Sequence, residues 1–409
     1  MKIPGTTVSA RDRDAAENRM RGSNQSGLRA HNKRAVLSLI RRNGRLAKAE
    51  IARRTGLSPQ TASVIMRALE AEELVLRDQP QRGRVGQPSI AMRLNPDGAF
   101  ALGLKIGRRS VDLVLMDFIG RIRGHERIAY TFPRLRHVLD FVATAEPKLR
   151  ALLPAKLAGR MTGLGVALPY ELWSWAEEIG APAIAMEEWR DLDVPAALAE
   201  VTDLPINVAN DATAACAAEN VFGSTRSADF VYFFVGAFIG GGIVMNGDLV
   251  SGRLGNAGAV GSMPVPHEDG GCAQLINFAS LHLLEKMYEA EGGDPLEFWR
   301  GQVAWESFGP LLDRWIDKAA YGLAHAIVSA NSIYDFESAV IDGRFPASVR
   351  ARLVERTAVV IETINRQGLS PVVIRQGTIG SDAREIGSAS LPFFAHYLLD
   401  HQVFLTEAD

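Results

Sequence analysis

The feature that most limits how this chain can fold is an apolar strand–turn–strand pattern that occurs twice. Phe100-Ala-Leu-Gly-Leu-Lys-Ile-Gly107 leads through a turn into Val111-Asp-Leu-Val-Leu-Met116, then Gly120. Phe230-Val-Tyr-Phe-Phe-Val-Gly236 leads through a turn into Gly242-Ile-Val-Met245, then Gly247. Each reads as a hairpin, and together they form a weak internal duplication. Between and after them strand-like runs alternate with helical ones, which argues for an α/β body.

Charge divides the chain. Residues 1–94 hold 19 Lys/Arg against 8 Asp/Glu, whereas the remainder holds 26 against 39. A basic front and an acidic back suggest that only the front meets a polyanion. Residues 1–27 are polar, with almost no apolar periodicity, and read as a basic, mobile tail. Residues 28–94 form a compact unit. Asn95-Pro-Asp-Gly98 reads as a turn leading into the body, 95–409. Two cysteines, Cys216 and Cys272, exclude a disulfide framework and a four-cysteine zinc site, and they fit a reducing cytoplasm. No apolar core follows the basic start, and no run is long and apolar enough for a membrane span.

Within 28–94 the pattern is helix, helix, turn, helix. Ala35, Val36, Leu39 and Ile40 form one apolar stripe, and Ile51 and Ala52 bury a second helix over Lys48–Thr55. Ala47 is a weak cap for that helix. Gly56 supplies a tight turn. Ser58 is a good N-cap and Pro59 suits the first helical position. Ala62, Ile65, Met66 and Leu69 then make one face core. Gln60, Thr61 and Ser63 point outward near the helix start, short and polar enough for base edges in a major groove. Leu74–Arg77 and Ser89–Arg93 read as two strands flanking a wing, with Arg82 and Arg84 among glycines at its tip. Lys48, Arg53, Arg54 and Arg67 suit phosphate contacts or a solvated face equally well. The expected partner is double-stranded operator DNA.

In the body the motifs are Asn210-Asp-Ala212, the glycine-rich run Phe238-Ile-Gly-Gly-Gly-Ile243, Ala257-Gly-Ala-Val-Gly-Ser262 and the late Gly377-Thr-Ile-Gly380. With Arg82-Gly-Arg-Val-Gly-Gln-Pro88 before Leu94-Asn-Pro-Asp97, they resemble the ROK family (repressors, open reading frames and kinases) in its winged-helix regulator branch. The resemblance runs from about Leu28 to Leu399. It implies an N-terminal winged helix-turn-helix followed by a two-lobed actin-like, ribonuclease-H-like sugar-kinase fold, in which two hairpins hold a nucleotide across a cleft.

By that resemblance Asp211 is the base acting on a sugar hydroxyl, and Asn210 binds a neighbouring hydroxyl. Asp211 is also placed to cap the helix that begins near Ala212. The glycine-rich turns bring N–H groups near a phosphate, or are tight turns between packed strands.

The chain departs from the kinases at four places. Their Asp-x-Gly hairpin start is Lys105-Ile-Gly here. That changes the local charge by two units, each worth roughly 4 kcal/mol at about 4 Å and an effective dielectric of about 20. Lys105 can greet a phosphate but cannot hold Mg²⁺. The family's sugar-binding Glu is Ala259, and the His that touches sugar and zinc is Ser262. The zinc loop shrinks to His267-Glu-Asp-Gly-Gly-Cys272, too few donors for a tetrahedral site. A later sugar-contacting Glu becomes Gln274. No metal, no cofactor and no catalysis are expected, and Asp211 is a vestigial base.

The expectation is a cytoplasmic transcription regulator of carbohydrate-related genes, a homodimer or homotetramer acting as a repressor. Its sugar or sugar-derivative effector is bound at Asn210, Asp211, Ala259, Ser262 and Gln274. The alternatives are an active ATP-dependent sugar kinase with an appended DNA-binding domain, and a regulator without a small ligand.

Overall fold

The computed structural model describes residues 10–78, 90–177, 180–267, 270–301 and 304–399. The chain divides into a front unit, 1–95 with 396–399, and a body that takes the rest.

The front unit opens with α1 (Ala10–Asn43), followed by β1 (Arg45–Ala47), α2 (Lys48–Thr55), α3 (Pro59–Ala71), β2 (Val75–Arg77) and β3 (Ala91–Leu94). Where composition predicts a mobile tail, residues 10–27 continue α1. Residues 10–21 are rich in Ala, Arg and Glu and free of proline, which favours the helix there; Gly22-Ser-Asn-Gln-Ser-Gly27 has low propensity for it. The buried stripe of α1 is Val36, Leu37 and Ile40, with Leu39 only half-buried. Gly56 ends α2 with φ 68°. Ser58 caps α3 by accepting from Thr61 N at 3.1 Å. Ala62, Ile65, Met66 and Leu69 are buried, as their spacing predicts. The three strands pair in the order β1-β3-β2. The sequence does not announce β1, because only Leu46 of its three residues is buried.

The body contains two five-stranded sheets with one topology. In the first, β4 (Phe100–Ile106), β5 (Ser110–Asp117) and β6 (Ile122–Ala129) form an antiparallel meander. After α4 (Leu135–Arg150), β7 (Met161–Leu168) joins parallel to β4. Beyond α5 (Ala183–Met186) and α6 (Val194–Leu198), β8 (Ile206–Asn210) joins parallel to β7. Helix α7 (Asp211–Phe222) then leads to the second sheet. There β9 (Phe230–Val235), β10 (Ile239–Met245) and β11 (Asp248–Val250) repeat the meander.

A small hairpin, β12 (Pro264–Pro266) with β13 (Cys272–Gln274), precedes α8 (Ile276–Ala279), α9 (Leu281–Ala290), α10 (Pro295–Arg300) and α11 (Pro310–Asn331). Strand β14 (Ser338–Gly343) joins parallel to β9. After α12 (Ala347–Ile361), β15 (Val373–Gln376) joins parallel to β14, and α13 (Ala383–His396) closes the fold. The orders β6-β5-β4-β7-β8 and β11-β10-β9-β14-β15 are equivalent, so the repeated hairpin marks a duplicated half. β4, β5, β9 and β14 are buried along their whole length; β9 reads as a continuous apolar run, whereas β4, β5 and β14 also bury Lys105, Asp112, Asp117 and Asp342.

Helix α7 lies directly on β10. A Cβ at Gly240 would stand 2.7 Å from Ala212 Cβ, and one at Gly242 2.5 Å from Cys216 Cβ. The glycine run is therefore the seat of α7 and brings the β8–α7 junction against the second sheet.

Candidate functional site

The front unit presents the exposed face of α3. Gln60, Thr61 and Arg67 are exposed there and Ser63 is half-buried. Val64 shares the face at 52% exposure. Sequence reasoning passed over Val64 because an apolar residue in a helix suggests core. Its position beside Gln60 suits contact with a thymine methyl. Ser58 spends its hydroxyl on the cap and on Thr61 Oγ1, 2.8 Å away. Arg53 donates to Glu50 at 2.8 and 2.6 Å, and Arg54 also pairs with Glu50. These bonds bring the Glu50 carboxyl down to about 2. Both arginines are thus tied to a carboxylate, while Lys48 Nζ keeps only a 3.9 Å approach to Glu70. Arg67 Nε donates to Ser63 O at 3.4 Å. The wing arginines Arg82 and Arg84 lie outside the described residues.

In the body, a cavity of about 240 Å³ opens where the turn after β4, the segment after β7, the β8–α7 junction, the loop 256–262 and α13 converge. Asn210, Asp211, Ala259 and Ser262 line it. Gln274 does not; it is exposed on β13. Gln274 pairs with Pro264 in the β12–β13 hairpin.

The cap of α7 is Asn210, whose Oδ1 accepts from Ala212 N at 3.0 Å and Thr213 N at 3.1 Å. Asp211 is therefore not the cap. It is buried at 4% exposure, and its Oδ2 has no hydrogen-bond partner. Arg384, from α13, brings Nη1 to 3.1 Å from that oxygen as an ion pair without hydrogen-bond alignment. The Arg384 guanidinium also stacks 4.5 Å over Phe234.

Three further lining residues escaped sequence reasoning. Arg108 stacks 4.5 Å from Phe238 and 5.4 Å from Trp175. Glu171 stands at a left-handed φ of 46°, which a non-glycine residue keeps only when its surroundings impose it. Asn256 adds a carboxamide. No local motif marks them, since they come from a turn and two loops.

Beside this cavity the first hairpin is filled by its own side chains. Lys105 Nζ donates to Ser110 Oγ at 2.9 Å and to Asp112 Oδ2 at 3.2 Å. It is spent inside the protein rather than offered to a phosphate. Burial disfavours the Asp112 charge, but Lys105, the hydrogen bond from His125 and Arg127 outweigh it and hold the carboxyl below the usual range. Glu385, at the start of α13, goes the other way. Burial, then the Asp112 charge, push it up to about 7 against the opposing pull of Lys105. Trp299 and Arg344 close the remaining side. The space left is about 20 Å³, room for roughly one water molecule.

The late glycine turn is also occupied internally. Thr378 N and Ile379 N donate to Glu219 at 2.8 and 3.2 Å, and Gly380 N donates to Asp342 at 2.9 Å. Two buried carboxylates take the N–H groups that a phosphate would need. Trp189 is buried and bonded to Pro133 O at 3.1 Å, away from the cavity. His282 Nδ1 lies 2.6 Å from Glu285 on the same helix, and Glu285 also pairs with Arg109. Among the described residues no cluster of His, Cys, Asp and Glu could hold a metal, and no helix is long and apolar enough to cross a membrane.

Known proteins bear on both units. A winged helix-turn-helix DNA-binding profile matches residues 29–75. The chain is 26% identical over 370 residues to the uncharacterized protein y4fQ of Sinorhizobium fredii, covering 89% of this chain and 91% of that one. It is 22% identical over 254 residues to the xylose repressor of Bacillus subtilis, covering 61% of this chain and 65% of the repressor. A solved ROK family transcriptional regulator, a homolog of the E. coli MLC protein, shares the fold with a TM-score of 0.65 at 21% identity, covering 90% of this chain and 97% of that one. The ROK family profile itself matches residues 101–392, most of the duplicated body, and the chain belongs to the ROK family.

Proposed function

We propose that this protein is a DNA-binding transcription regulator, a repressor of carbohydrate-related genes, whose body senses a sugar or sugar derivative without phosphorylating it. The observation that carries the reading is the state of Asp211. The residue at the kinase base position is buried in a monosaccharide-sized cavity, yet it faces the Arg384 guanidinium. Lys105 stands where the hairpin of the kinases has a carboxylate, and it is consumed by Asp112. Phosphoryl transfer needs Mg²⁺ and an accessible phosphate cradle; here the first hairpin leaves space for about one water. The cavity keeps groups that suit hydroxyls: Asp211, Ser262 and the free amide end of Asn210. The repressor name of the Bacillus relative and the helix-turn-helix profile support the DNA-binding half.

A homodimer or homotetramer would set two α3 helices about one DNA turn apart. An effector that prefers one arrangement of the body then shifts operator affinity through linkage. The test is fluorescence anisotropy of the purified chain on duplex DNA from upstream of its own gene. Gln60→Ala should cost about 1–3 kcal/mol and relax specificity. Arg67→Ala should weaken all sequences alike and lower the salt slope by about one. Salt-independent binding, or indifference to both changes, would sink the DNA assignment. ADP release with a sugar panel, abolished by Asp211→Asn, would replace this reading with that of an active kinase.

A further inference from the structure

We infer that Val64 reads the 5-methyl group of a pyrimidine in the major groove of the operator, a thymine or a 5-methylcytosine held close to the base that Gln60 reads. The inference rests on the DNA-binding reading and names the base chemistry of that same site.

The packing of α3 selects the side chains that can do this. Ala62, Ile65, Met66 and Leu69 are buried and hold the helix on the front unit. The opposite face exposes Gln60, Thr61, Val64 and Arg67. Gln60, Val64 and Arg67 follow at i, i+4 and i+7, so they form one stripe. Val64 is 52% exposed, and among the described residues of α3 it is the one large apolar side chain left bare. No carboxylate interrupts that stripe. Glu70 is half-buried and tied to Arg77 at 3.1 Å and to Lys48, and Glu50 on α2 is tied to Arg53 and Arg54. The whole stripe lies within residues 29–75, the span of the winged helix-turn-helix profile.

A single exposed valine is ordinary on a protein surface. Its place gives this one a task. Residues near the start of the second helix of a helix-turn-helix face base edges, and Val64 is the sixth residue of α3. Valine neither donates nor accepts a hydrogen bond. A polar base edge set against it would lose its water without gaining a partner. The apolar group that the major groove offers is the pyrimidine 5-methyl. Gln60 has a carboxamide that can bond both N6 and N7 of adenine. Helical rise sets these two residues about 6 Å apart along the axis. That is less than two base-pair steps of about 3.4 Å, so their targets are near neighbours. Thr61 Oγ1 lies 2.8 Å from the capping Ser58 hydroxyl, and Ser63 is half-buried. Both are short, so neither holds the helix away from the groove floor.

The experiment begins with duplexes that the full chain selects from a library with a randomised core. In a selected duplex each thymine is replaced in turn by deoxyuridine, which removes only the 5-methyl. Each cytosine is replaced in turn by 5-methylcytosine, which adds one. Fluorescence anisotropy gives the affinities of the wild type and of Val64→Ala, and melting curves confirm that the variant folds. At one defined position uracil should weaken the wild type about four-fold, the roughly 0.8 kcal/mol of one buried methyl-sized group. Val64→Ala should bind the thymine duplex about four-fold more weakly and should not distinguish thymine from uracil there. That pattern identifies thymine as the base read. Affinity gained only with 5-methylcytosine, and only by the wild type, identifies a methylated cytosine instead. If no methyl substitution changes wild-type affinity, or if the methyl effect persists undiminished in Val64→Ala, the inference falls and DNA binding stands. A Val64→Ala chain that binds DNA unchanged but loses self-association makes the valine a protein contact and likewise overturns it. If the chain retains no duplex from the library, the DNA-binding reading itself falls.

Discussion

Arg384 Nη1, on α13, lies 3.1 Å from Asp211 Oδ2 at the start of α7. Both side chains are buried, so the pair ties the last helix of the body to the junction that lines the cavity. Removing one partner leaves an isolated buried charge. Arg384→Ala should therefore destabilise the body by about 3–5 kcal/mol. Adding Asp211→Asn should recover part of that loss. A double-mutant cycle by urea denaturation, followed by tryptophan fluorescence, measures the coupling; independent, additive effects would show that the pair is incidental.

Asn210 holds the same junction through its cap on Ala212 N and Thr213 N. Asn210→Ala should cost about 1 kcal/mol, and Asn210→Ser should keep most of the stability because a hydroxyl can also cap. The unfolding midpoints of the three proteins test this order.

The seat of α7 on β10 leaves no space for a side chain at Gly242, where a Cβ would meet Cys216 Cβ at 2.5 Å. Gly242→Ala should destabilise by about 1–3 kcal/mol through overpacking. Cys216→Gly in that background should restore space for the methyl group but bring its own cavity cost. Thermal denaturation of the single and double variants checks whether the loss is steric.

Glu385 gives the body a defined pH response. Its carboxyl is pushed up to about 7 by burial, then by the Asp112 charge, from an ordinary value of 4.5. The folded state therefore binds this proton more tightly than the unfolded chain. The resulting stability is fully present below pH 4.5 and is lost as pH rises toward 7. Asp112, held low, acts oppositely and only below its ordinary 3.8. His125, raised by its bond to Asp112, loses its share above 6.5. Glu385→Gln should flatten the pH dependence between 4.5 and 7 and raise stability at pH 7.5. Denaturation midpoints across that range decide it; an unaltered slope would remove Glu385 as the cause.

Much of this protein was legible in one dimension because the physics involved is local. Gly56, Ser58 and Pro59 punctuate the front unit, and helical spacing names the core of α3. Predominantly apolar runs name β4 and β9, and the two hairpins announce a duplicated half. The two polar residues of the Asn-Asp-Ala motif both line the cavity. Local pattern failed where a residue's role depends on what the fold sets beside it. Gln274 looked equivalent to a sugar contact, but a short hairpin carries it to the surface. Lys105 looked available to a phosphate, but the next strand presents Asp112 to it.

Sequence by itself therefore determined the α/β class, the repeated hairpin, the helix-turn-helix and the absence of kinase-like residues at Lys105, Ala259 and Ser262. Tertiary structure alone decided that Arg108 and Arg384 meet Asp211's cavity, that Glu219 and Asp342 occupy the late glycine turn, and that Asn210 rather than Asp211 caps α7. The reason is range. Periodicity and capping act over a few residues, whereas buried charges find their partners across the chain, and only the packed fold brings those partners within bonding distance.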